Sequence, residues 1–277
     1  MAKGIGLIGN FKGKVGNTVG YKLTASNNGQ TQGIRVYQPI VKNPKSAGQA
    51  EQRAKLLAVN ATYRALKMVI DRGNEGLPYG NKSRIAWLKT ALKAEGMPWI
   101  EKGKIVTAPV LTTLTKGTLP SIGYTPNEDF LNIACAGAKS ETTVGTVGAI
   151  STLLKAAYSW LQDGDQITIL ACGKSNDALQ SEVFSFIIEP KSDTAFTKLR
   201  AGADVLQYET NISAPGYAVI VSREGANGEH LRSTATLQIA AEYTKEIPYD
   251  AASKAAAIAS YRASAASNSD WAEESIQ

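Results

Sequence analysis

The chain has 277 residues, 43% of them hydrophobic and 19% charged, a balance that excludes a disordered chain and gives room for one large domain or two ordinary ones. Its longest apolar runs fall well short of the ~20 residues a membrane-spanning helix needs, and its N-terminus is punctuated by glycine where a signal peptide has an apolar core. The net charge of +6 hides a split: residues 1–105 hold 18 Lys and Arg against 5 Asp and Glu, and residues 106–277 hold 12 against 19.

In chain order, the first segment is glycine-rich, with Gly4, Gly6, Gly9, Gly13, Gly16 and Gly20. Gly4-Ile5-Gly6-Leu7-Ile8-Gly9 has the spacing of a dinucleotide fingerprint. It lacks the preceding strand and following helix that give that spacing meaning, since Asn10-Phe11-Lys12-Gly13 comes next. Glycine in strand-like segments marks bulges or close backbone approach, approach to a neighbouring chain included. Two β-prone runs follow, 18–24 and 33–38, joined by Ser26-Asn27-Asn28-Gly29-Gln30, and Asn-Gly is a strong hairpin cue. Val19, Tyr21 and Leu23 alternate with polar or small residues, so one face of this hairpin is expected to be buried.

A long helix is expected over 47–70. Asn43 suits its cap, Pro44 its first position and Gly73 a left-handed stop. Leu56, Val59, Tyr63, Leu66 and Ile70 recur at helical spacing as its core face, while Arg53, Asn60, Arg64, Lys67 and Asp71 gather on a polar strip. A second helix is expected over 82–95, capped by Asn81 or Ser83, with Ile85, Leu88 and Leu92 as its apolar stripe and Trp87 and Ala91 widening it. From about residue 104 the pattern turns to strands, over 105–114, 118–124, 130–136, 166–172, 183–188, 217–222 and 233–240, with a short helix over 147–161. An alanine-rich helix over 250–266 and a polar tail end the chain. The fold class is therefore α+β: an N-terminal glycine-rich β-hairpin with two helices, then a β-rich domain resembling a sandwich or jelly roll, then a C-terminal helix. The expected boundaries are 1–103, 104–248 and 249–277.

Catalytic chemistry is sparse in this sequence, and the chain is read as non-enzymatic. His230 is the only histidine and falls in a loop-like Gly225-Ala226-Asn227-Gly228-Glu229 context. Cys135 and Cys172 sit in or beside apolar runs and read as buried free thiols. Zinc needs clustered Cys and His, and a P-loop needs Gly-Lys-Ser/Thr; neither pattern occurs. Asp163 and Asp165 offer two carboxylates to a hard cation, yet such pairs are ordinary turn residues. No cofactor and no metal is expected.

The basic helices carry the functional content. Arg53, Arg64 and Lys67 share one strip, and Arg72, Lys82, Arg84, Lys89 and Lys93 extend it, with Lys12, Lys14, Lys22 and Arg35 on the glycine-rich part. Such a surface can neutralise phosphates without reading sequence, dock on the acidic part of a neighbouring copy, or be plain solvated surface. No base-reading motif is present, so sequence-specific DNA recognition is not expected.

Met1-Ala2-Lys3-Gly4-Ile5, Gly13-Lys14-Val15-Gly16-Asn17 and Val19-Gly20-Tyr21-Lys22 resemble an uncharacterised family of small proteins from Bacteroidota and their phages. Asn43-Pro44-Lys45 followed by Gln49, Gln52-Arg53 and Ala54-Lys55 resembles the segment such proteins carry before a helix, with Ser46 where Thr is usual, and phage structural proteins carry similar segments. The resemblance covers about residues 1–100 and brings no activity or catalytic residues. It implies a bacteriophage or prophage virion or capsid-assembly component; the glycine-rich arm and the charge split add the expectation of a homo-oligomer that self-associates through its N-terminal module or meets other virion proteins, and the glycine-punctuated N-terminus that of a protein made in the bacterial cytoplasm. Sequence-independent nucleic-acid binding stands as the alternative, and no membrane partner is expected.

Overall fold

The computed structural model describes residues 13–22, 32–37, 46–128, 130–140, 144–226, 228–245 and 247–267. The chain packs as two units, Met1–Lys45 with Ser267–Gln277, and Ser46–Ala266. In the first unit β1 (Gly13–Val15), β2 (Thr18–Lys22) and β3 (Gln32–Val36) form an antiparallel sheet in that order. Gly16 supplies the positive φ of +56° that the tight turn between β1 and β2 requires. β2 and β3 pair from Thr18 opposite Val36 to Lys22 opposite Gln32. The Ser26–Gln30 stretch expected to join them lies outside the described residues, as do Asn43, Pro44 and Lys12.

The second unit opens with α1 (Ala47–Ile70), which starts one residue after Ser46; the Ser46 hydroxyl accepts the Gln49 N–H at 3.4 Å, at the long end for such a cap. Its buried stripe is Ala50, Ala54, Ala58, Val59, Thr62, Leu66, Val69 and Ile70. Leu56, expected on that stripe, is exposed instead, because the buried arc is centred on small residues that let the helix lie close to its neighbours. Gly73 is not a left-handed stop. It is buried, and a Cβ there would meet the Leu114 carbonyl at 2.5 Å, so glycine serves close backbone approach. α2 (Asn81–Ala91) is shorter than expected and starts from Gly80, at φ +84°, with no side-chain cap. Ser83 is not a cap but a buried staple: its hydroxyl donates to the Ile70 carbonyl at 2.8 Å and joins the two helices. Ser83, Trp87 and Ala91 form the buried stripe, Leu88 and Leu92 flank it, and Ile85 faces out.

The strands that follow are β4 (Thr113–Thr115), β5 (Tyr124–Pro126) and β6 (Phe130–Ala134). Next come α3 (Val147–Ala157), β7 (Gln166–Ser175), β8 (Ala178–Ile187), β9 (Leu199–Ala201) and β10 (Val205–Glu209). β11 (Ser213–Glu224), β12 (His230–Arg232), β13 (Ala235–Thr236), β14 (Gln238–Ile239) and α4 (Ala251–Ser267) complete the unit. The central sheet runs β12-β11-β7-β8, with β14 also paired to β11, and a second antiparallel sheet runs β5-β6-β10-β9. β7 and β8 form a hairpin of ten paired positions, closed by Asn176 and Asp177, both left-handed as a primed two-residue turn requires.

Alternation along the central strands divides the core in two. Ile167, Ile169 and Ala171 of β7 with Tyr217, Val219 and Val221 of β11 meet Leu131, Ile133, Leu206 and Tyr208 of the second sheet, and Ile150 and Leu154 of α3. The opposite face, Leu170 and Cys172 with Ala218 and Ile220, meets α1, α2 and Ala257 of α4. The unit is thus α+β in three layers, with the sandwich-like pair of sheets carrying helices on one side. The boundary expected at 103 does not coincide with the packing, which divides at 45 and 266, because α1 and α2 cover the same sheet that the later strands build.

Candidate functional site

The strip that the sequence places on α1 lies opposite the buried stripe. Arg64 and Lys67 are exposed there with Leu56, Asn60 and Met68, and Arg53 is half-buried nearer the start of the helix. On α2 the exposed row is Lys82, Ile85 and Lys89, opposite Ser83, Trp87 and Ala91, and Lys93 continues it in the turn just past the helix. Arg84 is separate from that row. It turns toward α1, its guanidinium 4.5 Å from the centre of the Tyr63 ring, and Tyr63 packs 6.2 Å from Trp87. Arg72 stands in the turn between the helices, 5.6 Å from the Tyr79 ring, whose other neighbour is His230 at 5.7 Å. The eight cations thus form two rows and two aromatic-backed posts rather than one continuous strip.

None of the eight is within salt-bridge distance of a described carboxylate. Most carboxylates of the helical segment are held by other donors. Glu51 pairs with Lys55 at 3.0 Å and Lys254 at 3.2 Å, Asp71 accepts the Tyr63 hydroxyl at 2.9 Å, and Glu101 pairs with Lys104 at 2.8 Å. Glu75 accepts the Thr118 N–H at 2.9 Å, the Thr118 hydroxyl at 2.8 Å and the Arg232 N–H at 3.0 Å. Burial pushes its pKa up, but these donors outweigh that and hold it below the ordinary carboxylate value. The Lys55 and Lys254 ammonium groups likewise lower Glu51. The positive charge of the helical faces is therefore not neutralised within the described residues, and it can attract an external anion or acidic surface.

Exposed apolar side chains interrupt this charge. Met68 is 80% exposed, with Leu56 and Ile85 also out in solvent. Met68 lies one turn beyond Arg64 in α1, so its place beside that cation follows from the helical spacing. A face of cations around flexible and branched apolar groups has the composition of a docking surface.

The remaining candidate groups have other tasks. Asp165 is buried and bidentate with Arg223, at 2.6 and 2.7 Å, and Asp163 pairs with Lys155 at 2.7 Å. The two turn carboxylates therefore do not converge, and no group of three or more metal-ligating side chains occurs among the described residues. Cys135, just beyond β6, and Cys172, in β7, are buried free thiols in the two different core layers; burial raises them to about 11 and about 12. His230 is exposed in β12 rather than in a loop. A polar groove of about 410 Å³ lies on the outer side of the second sheet, lined by Phe130, Lys198, Arg200, Gln207, Glu209 and Asn211 among others, and shares no residue with the cationic rows. No helix of the described residues is long and apolar enough to cross a membrane.

Comparison with protein-family models, with curated proteins and with solved structures found no match.

Proposed function

We propose that this chain is a non-enzymatic structural or assembly protein that associates with copies of itself, its cationic helical faces docking against an acidic surface of a neighbouring copy. The observation that carries this reading is the set of rows Arg64–Lys67 and Lys82–Lys89–Lys93, exposed and without carboxylate partners among the described residues, set around Met68 and Ile85. The acceptor is supplied by the same chain, because residues 106–277 carry 19 carboxylates against 12 cations. Opposite charges on two parts of one molecule steer copies together and disfavour like-to-like contact. The resemblance of the first hundred residues points this reading toward a bacteriophage or prophage particle.

The aromatic-backed cations Arg84 and Arg72 favour a second reading, sequence-independent binding of nucleic acid, where guanidinium groups meet phosphates and rings stack on bases. One experiment separates the two. Light-scattering mass and the 260/280 nm absorbance ratio are measured across a salt series for the natural chain and for the double variant Arg64→Glu/Lys67→Glu. Self-docking gives a nucleic-acid-free oligomer whose mass falls with salt and with charge reversal. A nucleic-acid-bound species stripped by salt supports the second reading. A mass indifferent to both salt and charge reversal overturns the role given to this face.

A further inference from the structure

The edge of the central sheet carries a feature that the cationic face does not explain. β8 is an edge strand: it pairs with β7 over ten consecutive positions, from Gln166 opposite Ile187 to Ser175 opposite Ala178, without a bulge. On its other side no backbone N–H or C=O of Ala178–Ile187 has a hydrogen-bond partner among the described residues. Long, flat, uncovered edges template further strands, and proteins ordinarily blunt them with lysine, proline, bulges or a covering segment. β8 contains no lysine and no proline. Its one charge, Glu182, is engaged within the subunit: its oxygens accept the Tyr208 hydroxyl at 2.9 Å and the Thr210 hydroxyl at 2.7 Å, with Lys198 at 3.6 Å. From Val183 to Ile187 the strand is uncharged and β-prone. Phe184 and Phe186 point into the core, while Val183 and Ile187 on the opposite face are 44% and 54% exposed.

We propose that β8 pairs antiparallel with β8 of a second copy across a two-fold axis, joining two central sheets into one. The occupant follows from symmetry and charge. A two-fold perpendicular to the sheet keeps each face on its own side, so one residue lies opposite its own copy, the axis runs midway between the two, and mates are equally spaced about it. Centring on Ser185 sets Val183 against Ile187 of the other copy, twice, and Phe184 against Phe186, also twice. Each exposed apolar side chain then meets another, and each free backbone group within the paired stretch meets its complement. Centring on Glu182 would oppose two carboxylates, and centring on Val183 would place them diagonally; the Ser185 register moves Glu182 to the rim. This contact goes beyond the cationic face and does not depend on it, since it is made of backbone and apolar groups.

The test uses the full chain. Across an antiparallel pair the Cα atoms are about 4.5–5.5 Å apart, inside the ~4.4–6.8 Å that a disulfide spans. In the Ser185→Cys variant two thiols should therefore be oxidised to a disulfide by added oxidised glutathione, which takes up their electrons and protons and leaves as two reduced glutathiones. The product is a covalent dimer on a non-reducing gel. The native Cys135 and Cys172 are buried and give little background. Mixing Val183→Cys with Ile187→Cys should also cross-link, reporting the register. The exposed control Ser159→Cys should not. Val183→Lys/Ile187→Lys placed in the Ser185→Cys chain should prevent the cross-link from forming while leaving the circular dichroism unchanged, and Arg64→Glu/Lys67→Glu should leave it forming as before. A Ser185→Cys yield no higher than that of the Ser159→Cys control overturns the proposal. A mass indifferent to both salt and charge reversal, with the cross-link retained, would overturn only the role of the cationic face.

Discussion

Removing the Arg223 guanidinium should cost far more than removing any cation of the docking face. Arg223 Nε and Nη2 donate to the two Asp165 oxygens at 2.6 and 2.7 Å, and Nη2 also donates to the Trp160 carbonyl at 2.9 Å. The Asp165 side chain is 1% exposed, and beyond Arg223 it accepts, among the described residues, only the Gln162 N–H, at 2.8 Å. The pair ties the turn before β7 to β11, next to the first core layer. Arg223→Met strands a sealed carboxylate, which typically costs about 3–5 kcal/mol. For a unit of this size each kcal/mol moves Tm by ~2–4 °C, so the melting point should fall by roughly 6–20 °C. Lys155→Met, which breaks the solvent-exposed pair with Asp163 in the same turn, is the control and should cost about 0–1 kcal/mol. Adding Asp165→Asn to Arg223→Met removes the stranded charge and should recover a good part of the loss. Urea unfolding at pH 7 and fixed protein concentration reads all four proteins. If Arg223→Met lies within about 1 kcal/mol of Lys155→Met, the pair is not the sealed link that its burial implies.

Two further outcomes follow from single contacts. Thr62 is fully buried in α1, donates to the Ala58 carbonyl at 3.0 Å and accepts the Val110 N–H at 2.9 Å; Thr62→Val orphans that N–H and should destabilise by about 1–3 kcal/mol in urea titration, and no change would mean the N–H finds another partner. Glu75 has its pKa held below the ordinary 4.5, so the stability it contributes is complete above 4.5 and is lost as pH falls through its lower folded value; Glu75→Gln should flatten that part of the acid limb, and parallel urea midpoints below pH 4.5 for both proteins would refute the assignment.

What was legible in the sequence follows from where each signal is local. α1 was legible because Val59, Leu66 and Ile70 repeat at helical spacing, and all three are buried. Leu56 was misassigned because hydrophobicity weights leucine over alanine, whereas the buried arc runs through Ala50, Ala54 and Ala58. The same weighting put Ile85 in the stripe of α2, where Ser83 in fact lies. Of the site, the opposition of Arg64 and Lys67 to the core was legible from periodicity alone. The aromatic backing of Arg72 and Arg84 was not, since it depends on how the turn and the second helix return onto the first. β10 carried a readable alternation, Leu206 and Tyr208 inward against Gln207 and Glu209, but is too short to stand out. The shared core was the largest omission, and it had a signal: Ile167-Thr168-Ile169-Leu170-Ala171-Cys172 and Tyr217-Ala218-Val219-Ile220-Val221 are nearly continuous apolar runs. A strand half-exposed to water alternates; one covered on both faces does not. Those runs required a second covering layer, and the helices of residues 47–91 supply it.

That double covering also limits where such a protein can meet others. With both faces of β7 and β11 occupied among the described residues, what the central sheet offers is the β8 side, since the edge beyond β11 already carries β12 and β14. β8 is what remains, and its contact would rest on backbone pairing and apolar contact, terms that salt scarcely weakens. The helical layer offers its outer faces, whose lysine and arginine rows act at longer range and are screened at high salt. The two surfaces are therefore suited to different tasks. Under the proposed self-association, charge would bring copies together and orient them, while a strand edge, short in range and strict in register, would fix which residue meets which.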